Sequence, residues 1–246
     1  MEKRQEVQTD FNLFLSRPIA HRGVFDDNIG ENTVEAILSA VEKGFCIEID
    51  VRMTADGEIV AIHDSFLLRL CGREEIVEQL TYKELSDIKL KTGQRIPTLE
   101  QILTAVGGRV PLLIEFKQYQ KNYKQLIDNT LNALKGYDIS KVAFQSFYPS
   151  CVKYAVKKYP FIMTGQLASG QIEGQNAFVN RLYYTLKIMR LTKAKFISFD
   201  INYLPNRYVQ KYRKKGYKVL TWLVDDQQKY EKAKENSDNV IFEKIF

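Results

Sequence analysis

The sequence predicts an α/β protein with a TIM (β/α)₈ barrel fold. Its 246 residues are the usual length of one such barrel. Apolar runs of strand length alternate with segments of helical pattern, and polar side chains collect where the runs end. Because no linker or change in composition divides the chain, we expect a single domain over residues 1–246.

The barrel begins with a strand predicted at 17–21 and a helix predicted over 31–43. The helix has apolar side chains at helical spacing, and Gly44 is its stop signal. The second strand is predicted at 45–51.

A hairpin is predicted directly after the second strand. Asp56-Gly57 is a strong turn signal, and 58–63 reads as a strand that returns antiparallel to the second one. A two-residue turn at these positions places His63 opposite Asp50. The hairpin therefore brings a histidine to the end of the second strand.

The remaining elements continue the alternation. Residues 64–97 read as a connecting excursion with a short helix near 82–89, and Thr98 is a suitable N-cap for a helix through Ala105. Six further strands are predicted at 110–116, 142–146, 161–166, 196–200, 218–223 and 240–242. Helices are predicted between them at about 121–135, 149–158, 175–192, 205–215 and 226–236.

Paired polar residues mark the ends of the second and third strands. Side chains alternate between faces, so Glu48 and Asp50 point the same way, and so do Glu115 and Lys117. Since barrel active sites form at the carboxyl ends of strands, the three carboxylates can converge on one cation. Oxygen ligands favour Ca²⁺ or Mg²⁺.

The chain has only two histidines, and both lie at predicted strand ends. His21 follows the first strand in Ile19-Ala20-His21-Arg22-Gly23, and His63 closes the hairpin. Two histidines around a carboxylate pair indicate acid–base catalysis with a metal and a phosphate. Other polar or aromatic residues at the later strand ends are Gln145, Ser146, Gln166, Asp200, Trp222 and Glu243.

Composition narrows the possible partners and locations. A net charge of +6 suits nucleic acid, anionic lipid or a phosphate substrate, but we find no nucleic-acid motif and expect no nucleic-acid partner. No apolar stretch has the length of a membrane span, and we see no signal peptide. The three cysteines are widely spaced and lack metal-ligand spacing, and Cys46, in the second strand, is expected to be a buried free thiol, so we expect a cytoplasmic protein.

Taken together, these motifs resemble the glycerophosphodiester phosphodiesterase family. They run in the family's order from residue 17 to about 224: His21-Arg22-Gly23, Glu31-Asn32-Thr33, Glu48-Ile49-Asp50-Val51-Arg52, Asp56-Gly57, His63-Asp64, Ile96-Pro97-Thr98-Leu99-Glu100, Glu115-Phe116-Lys117, Ser146-Phe147 and Trp222. The resemblance implies a TIM-barrel hydrolase that cleaves glycerophosphodiesters to sn-glycerol 3-phosphate and an alcohol.

The same resemblance implies a role for each site residue. The metal ligands are Glu48, Asp50 and Glu115, the acid–base pair is His21 and His63, and the substrate contacts are Arg22, Lys117 and Trp222. Within the pair, His63 is the proton donor to the leaving alcohol and His21 is the acceptor.

Two positions depart from the family's pattern. Gly30 stands where the family usually has proline before Glu-Asn-Thr. The last strand, which usually ends in Thr-Asp, here continues into Glu243-Lys244.

Several alternatives stay open at the level of sequence. The nucleophile is water or the substrate's own glycerol hydroxyl, and Lys117 or Arg22 can serve as structural partners of carboxylates. A lysophospholipase D acting at a membrane surface and a non-catalytic barrel that binds phosphodiesters are the competing functions. We expect a small-molecule substrate, no integral membrane association, and a monomer or homodimer.

Overall fold

Eight parallel strands close into a ring in the computed structural model, which describes residues 8–244. The strands are β1 (Ile19–His21), β2 (Cys46–Met53), β3 (Ile59–Ala61), β4 (Leu112–Phe116), β5 (Val142–Ser146), β6 (Met163–Ala168), β7 (Phe196–Asp200), β8 (Val219–Val224) and β9 (Asn239–Phe242). All except β3 belong to the ring, which closes where β1 pairs with both β2 and β9. The (β/α)₈ barrel predicted from the sequence is confirmed.

Helices connect the strands on the outside of the ring. They are α1 (Val34–Glu42), α2 (Leu68–Cys71), α3 (Tyr82–Ser86), α4 (Leu99–Val106), α5 (Tyr123–Ala133), α6 (Pro149–Lys158), α7 (Ala177–Tyr184), α8 (Met189–Thr192), α9 (Arg207–Arg213) and α10 (Gln227–Asn236). Thr98 caps α4 as predicted, since its hydroxyl accepts from the backbone of Gln101 and the Gln101 side chain accepts in return.

The helix predicted over 175–192 is two helices in the structure. The backbone of Leu186 has a φ of 54°, in the left-handed region that interrupts a right-handed helix. The chain therefore turns between α7 and α8, and the second helix is short.

Strands β2 and β3 form the predicted hairpin, but their register differs from the prediction by one residue. Asp50 accepts a backbone hydrogen bond from Ile62 at 3.0 Å, so Ile62 rather than His63 lies opposite it. The turn contains three residues instead of two, because Thr54 donates to the carbonyl of Glu58 at 2.9 Å. Gly57 completes this turn with a φ of 92°, which glycine adopts without strain.

The lower half of the barrel interior is filled with apolar side chains. A short 3₁₀ helix, Phe11–Leu15, contributes two phenylalanines that close the bottom of the barrel. The packed set is Phe11, Phe14, Ile19, Cys46, Leu113, Ala143, Phe196, Leu220 and Ile241.

The site residues lie one layer above this apolar floor. Strand side chains alternate, so a residue two positions further along points into the same interior. Two positions after six of the floor residues come His21, Glu48, Glu115, Gln145, Trp222 and Glu243. The fold thus gathers the polar strand ends at the carboxyl mouth of the barrel.

Cysteine chemistry and hydropathy add two findings. Cys46 and Cys151 are buried free thiols, as expected for Cys46, and burial raises the pKa of each to about 12. Within residues 8–244, no helix combines the length and the apolar character needed to cross a membrane.

Candidate active site

A cavity of about 190 Å³ opens at the carboxyl end of the barrel. It is lined by His21, Arg22, Glu48, His63, Glu115, Lys117, Gln145, Phe147, Leu167, Trp222, Leu223 and Ile241. Seven of the eight residues predicted for the site are in this set, and the eighth, Asp50, contacts two of the lining residues, Arg22 and Lys117. Larger grooves lie elsewhere on the surface, but they lack this combination of acid, base and histidine.

The loop after β1 is shaped by its glycine. Arg22 and Gly23 both have positive φ, 60° and 83°. A Cβ at Gly23 would lie 2.7 Å from the backbone of Ala36, so only glycine lets the start of α1 approach this closely. The tight loop holds the Arg22 backbone against Glu48, whose carbonyl accepts its N–H at 2.9 Å.

Three buried carboxylates form an acidic cluster. Ligand oxygens of Glu48, Asp50 and Glu115 lie within 4.8 Å of one another. Asn32 holds Asp50 from behind, since its amide donates to Oδ2 at 3.1 Å and its carbonyl accepts the Asp50 N–H at 3.2 Å. Asn32 therefore does more than shape the loop before α1.

Two cations contact this cluster. Arg22 Nε lies 2.9 Å from Asp50 Oδ2, and Lys117 Nζ lies 3.1 Å from Asp50 Oδ1 and also contacts Glu115. Both side chains line the cavity as well. Arg22 and Lys117 are therefore both ion-pair partners of carboxylates and lining residues of the cavity. The sequence had left these two roles open.

The three carboxylates differ in the direction in which their pKa values are shifted. Burial raises the pKa of Glu48 well above its ordinary value, and repulsion from Asp50 adds to the effect. Burial also raises the pKa of Glu115. For Asp50, burial is outweighed by the ion pairs with Lys117 and Arg22, which hold its pKa well below the usual range.

The donor set fits a divalent cation. Three carboxylates face two cationic side chains, so one negative charge is left over when all are ionised. Gln145 donates its side-chain amide to Glu48 at 3.5 Å, and its buried Oε1 has no hydrogen-bond partner among the described residues. An all-oxygen set of this kind suits Ca²⁺ or Mg²⁺.

Each histidine holds a carboxylate through Nδ1. His21 Nδ1 lies 2.5 Å from Glu243 Oε1, and His63 Nδ1 lies 2.6 Å from Asp64 Oδ1. Because both rings line the cavity and Nδ1 is engaged, Nε2 is the nitrogen left for a substrate. Burial lowers the pKa of His21, and it lowers the pKa of His63 to about 4, so both rings are neutral at pH 7.

Arg69 was not predicted as a site residue. It links the carboxylate partner of His63 to the carboxylate partner of Arg22. Its guanidinium bonds Asp64 Oδ2 at 2.5 Å and both oxygens of Glu31 at 2.7 and 2.8 Å. Glu31 in turn accepts from Arg22 at 2.7 Å. Arg69 lies in α2, within a stretch that the sequence showed only as a connecting excursion, and no local pattern marks it.

The structure explains the glycine that departs from the family's pattern. Gly30 donates its N–H to the side chain of Gln94 at 3.2 Å, a bond that proline cannot make. A Cβ at Gly30 would also lie 2.7 Å from Leu90. The excursion packs against this loop, and glycine is the residue that allows it.

The remaining strand-end residues divide between cavity wall and scaffold. Trp222 packs edge-on against Phe147 with ring centroids 5.4 Å apart, and both line the cavity. Gln166 donates to the carbonyls of Ser146 and Phe147, and Asp200 accepts from Ser169. Gln166 and Asp200 therefore hold loops together.

The fold and the site together define the class of the protein. A (β/α)₈ barrel whose mouth carries an acidic cluster, two cations and two carboxylate-bound histidines has the fold and the acid–base groups of a TIM-barrel enzyme. The chain matches the model of the Glycerophosphoryl diester phosphodiesterase family over residues 21–244. It belongs to this family of phosphoric diester hydrolases.

Comparisons with individual proteins agree. A glycerophosphodiester phosphodiesterase from Caldanaerobacter subterraneus is 30% identical over 235 residues, 91% of this chain and 92% of that protein. The fold is similar to that of an Oleispira antarctica phosphodiesterase in complex with the product sn-glycerol-3-phosphate, with a TM-score of 0.79, 23% identity and coverage of 94% and 93%. A Thermotoga maritima glycerophosphodiester phosphodiesterase gives a TM-score of 0.73 at 25% identity, covering 92% of this chain and 94% of that one.

Proposed function

We propose that this protein hydrolyses glycerophosphodiesters to sn-glycerol 3-phosphate and an alcohol, with one divalent cation, Ca²⁺ or Mg²⁺. The observation that carries the proposal is the meeting, at one cavity, of an acidic cluster with two histidines whose Nδ1 atoms are held by carboxylates. The name of the 30% identical relative supports the substrate class.

The cation would be held by Glu48, Asp50 and Glu115. When bound there, it supplies positive charge to the phosphodiester oxygens. Arg22 and Lys117 line the same cavity and add two further positive charges beside those oxygens.

The histidines move the protons. His21 Nε2 accepts the proton of the attacking hydroxyl, from water or from the substrate's glycerol, as the oxygen forms its bond to phosphorus. The bond from phosphorus to the alcohol oxygen breaks, and that oxygen takes a proton from His63. After attack by the glycerol hydroxyl, water opens the cyclic phosphate with the two roles reversed: the proton of water passes to His63, and His21 returns its proton to the released glycerol oxygen.

The two histidine partners differ in a way that supports these roles. The charge of Asp64 is shared with Arg69, whereas among the described residues His21 is the one basic partner of Glu243. An imidazolium at His21 is therefore better stabilised than one at His63. The anionic phosphodiester raises the pKa of His63 on binding, as a proton donor requires.

The test is a coupled assay for glycerol 3-phosphate with a panel of glycerophosphodiesters. We expect release with Ca²⁺ or Mg²⁺, loss with EDTA, and a fall of at least about 100-fold in His21→Ala and His63→Ala. Failure of every substrate to release product would reject the proposal. Binding without turnover would then favour a non-catalytic barrel.

A lysophospholipase D activity is the second candidate. Phe66, Leu68 and Tyr148 are exposed apolar side chains, and they follow β3 or β5 near the mouth. A lysophospholipase D from Rattus norvegicus is 33% identical over 138 residues, 50% of this chain and 42% of that protein. Faster release of choline from lysophosphatidylcholine than from glycerophosphocholine would favour this candidate.

We also propose a cytoplasmic, single-domain protein that is a monomer or homodimer. Its free cysteines suit a reducing compartment. Light scattering after size exclusion measures the oligomeric state, and a single unfolding transition is expected for one domain.

A further inference from the structure

We propose that Glu243 is a positioning residue that fixes the tautomer of His21, so that the lone pair of Nε2 faces the substrate. The inference rests on the proposed function and adds to it a residue outside the family motifs named above. Its basis is the bond of 2.5 Å between Glu243 Oε1 and His21 Nδ1, with 17% of the His21 side chain and 20% of the Glu243 side chain exposed.

The barrel register sets this contact. Strands β1 and β9 are parallel neighbours in which Ile19 pairs with Ile241. Two residues further along each strand are His21 and Glu243, so they lie side by side at the mouth. The register at the ring closure therefore places the two side chains next to each other.

The end of β9 is held in place by its backbone. Glu243 donates its N–H to the carbonyl of Val224 at 3.0 Å. Strand β8 is bulged relative to β9 between Thr221 and Val224, and Trp222 in this stretch lines the cavity together with His21. The unusual ending of the last strand thus supplies a carboxylate at a fixed position.

A carboxylate at Nδ1 determines where the imidazole proton lies. An ionised carboxylate only accepts hydrogen bonds, so the single N–H of neutral His21 must be on Nδ1. Nε2 then carries the lone pair that takes the proton of the attacking hydroxyl. Glu243 also stabilises the imidazolium that results.

Imidazole nitrogens can be observed directly, because the chain contains only two histidines. We would label the full-length protein with ¹⁵N-histidine and record correlations between ring nitrogens and ring protons. His63→Gln assigns the His21 signals. In the wild type we expect the proton on Nδ1 of His21, and in Glu243→Ala we expect it to move to Nε2 or to be shared.

An unchanged His21 tautomer in Glu243→Ala would overturn the inference, whether or not the protein turns over any phosphodiester. Glu243→Gln is the second variant, since it keeps the size of the side chain if the alanine variant does not fold. Its amide can donate to Nδ1, and the proton is then expected on Nε2. Glu231→Ala, an exposed carboxylate paired with Lys234, is the control and should leave the His21 signals unchanged.

Kinetics test the same inference through function. We expect Glu243→Ala to lower kcat about 10- to 100-fold while KM changes less than about threefold. In a His21→Ala background, Glu243→Ala should have no further effect, because it acts through that ring. Equal losses in both backgrounds would reject the positioning role, and an inactive wild type with the expected tautomers would reject only the proposed function.

Discussion

The ammonium of Lys117 lies 3.1 Å from Oδ1 of Asp50, inside the cluster that we propose binds a divalent cation. Burial opposes the charge on Lys117, but Asp50 and Glu115 outweigh it and raise the Lys117 pKa, so the ammonium stays charged. The protein therefore already places one positive charge where the cation would add two. A cation held by the same carboxylates would be repelled by the ammonium.

Replacement of Lys117 by methionine should separate its two proposed roles. Loss of the nearby positive charge is expected to tighten Mg²⁺ or Ca²⁺ binding about tenfold, measured by titration calorimetry. The same variant should lose at least about 30-fold in kcat/KM, because a contact to the phosphate is missing. Weaker metal binding in Lys117→Met would contradict this account and make Lys117 a purely structural partner.

Glu48→Gln should stabilise the metal-free protein and abolish the response to metal. The pKa of Glu48 is raised in the folded state, so the stability it contributes is fully present below about pH 4.5 and is lost as the pH rises through the raised value. At pH 8 the buried charge is a cost that glutamine removes. We expect Tm in EDTA to rise by a few degrees at pH 8 and to be unchanged near pH 4.

Addition of metal tests whether Glu48 belongs to the proposed ligand set. Saturating Ca²⁺ or Mg²⁺, at about 100 times Kd, should stabilise the wild type by about 2.7 kcal/mol and leave Glu48→Gln nearly unaffected. Glu42→Gln, an exposed carboxylate on α1, is the matched control and should behave like the wild type. Equal metal responses in all three proteins would remove Glu48 from the proposed ligand set.

The sequence was sufficient to predict the ring of strands and the side chains at the carboxyl ends of those strands. Strand periodicity and the rule that active sites lie at carboxyl ends placed His21, Glu48 and Glu115 in one layer, and the structure has them there. The hairpin register was wrong by one residue, because the turn-closing bond between Thr54 and Glu58 is not visible in a turn motif.

Contacts between segments that are far apart in the chain could not be predicted from the sequence. Arg69 and Glu31 are 38 residues apart, and Glu243 and His21 are 222 apart. Such pairs depend on how the excursion folds back and how the ring closes, and no local pattern reports either. The residues that orient the site were therefore harder to predict than the residues that line it.

Acid should destabilise the metal-free protein partly through His63. Its pKa is about 4 in the folded state, lowered mainly by burial, against 6.5 for an ordinary histidine. Between these values the unfolded chain binds a proton that the folded protein does not, so stability falls as the pH is lowered from 6.5 to 4. We expect the decrease in Tm over this range, in EDTA, to be smaller in His63→Gln than in the wild type. Parallel Tm curves for the two proteins would show that His63 titrates normally.

Arg69→Met tests whether the link between Asp64 and Glu31 serves catalysis or stability. Arg69 is half exposed, so its ion pairs should contribute less than about 1 kcal/mol to the free energy of unfolding. Its loss frees Asp64 and Glu31, however, and these orient His63 and Arg22.

We therefore expect kcat to fall about 10-fold in Arg69→Met, with little change in Tm. Arg73→Met is the matched control, because Arg73 lies in the same excursion and pairs only with Glu75 among the described residues. It should keep the wild-type kcat. A large drop in Tm with unchanged kcat in Arg69→Met would mean that the link holds the excursion in place without orienting the groups that react.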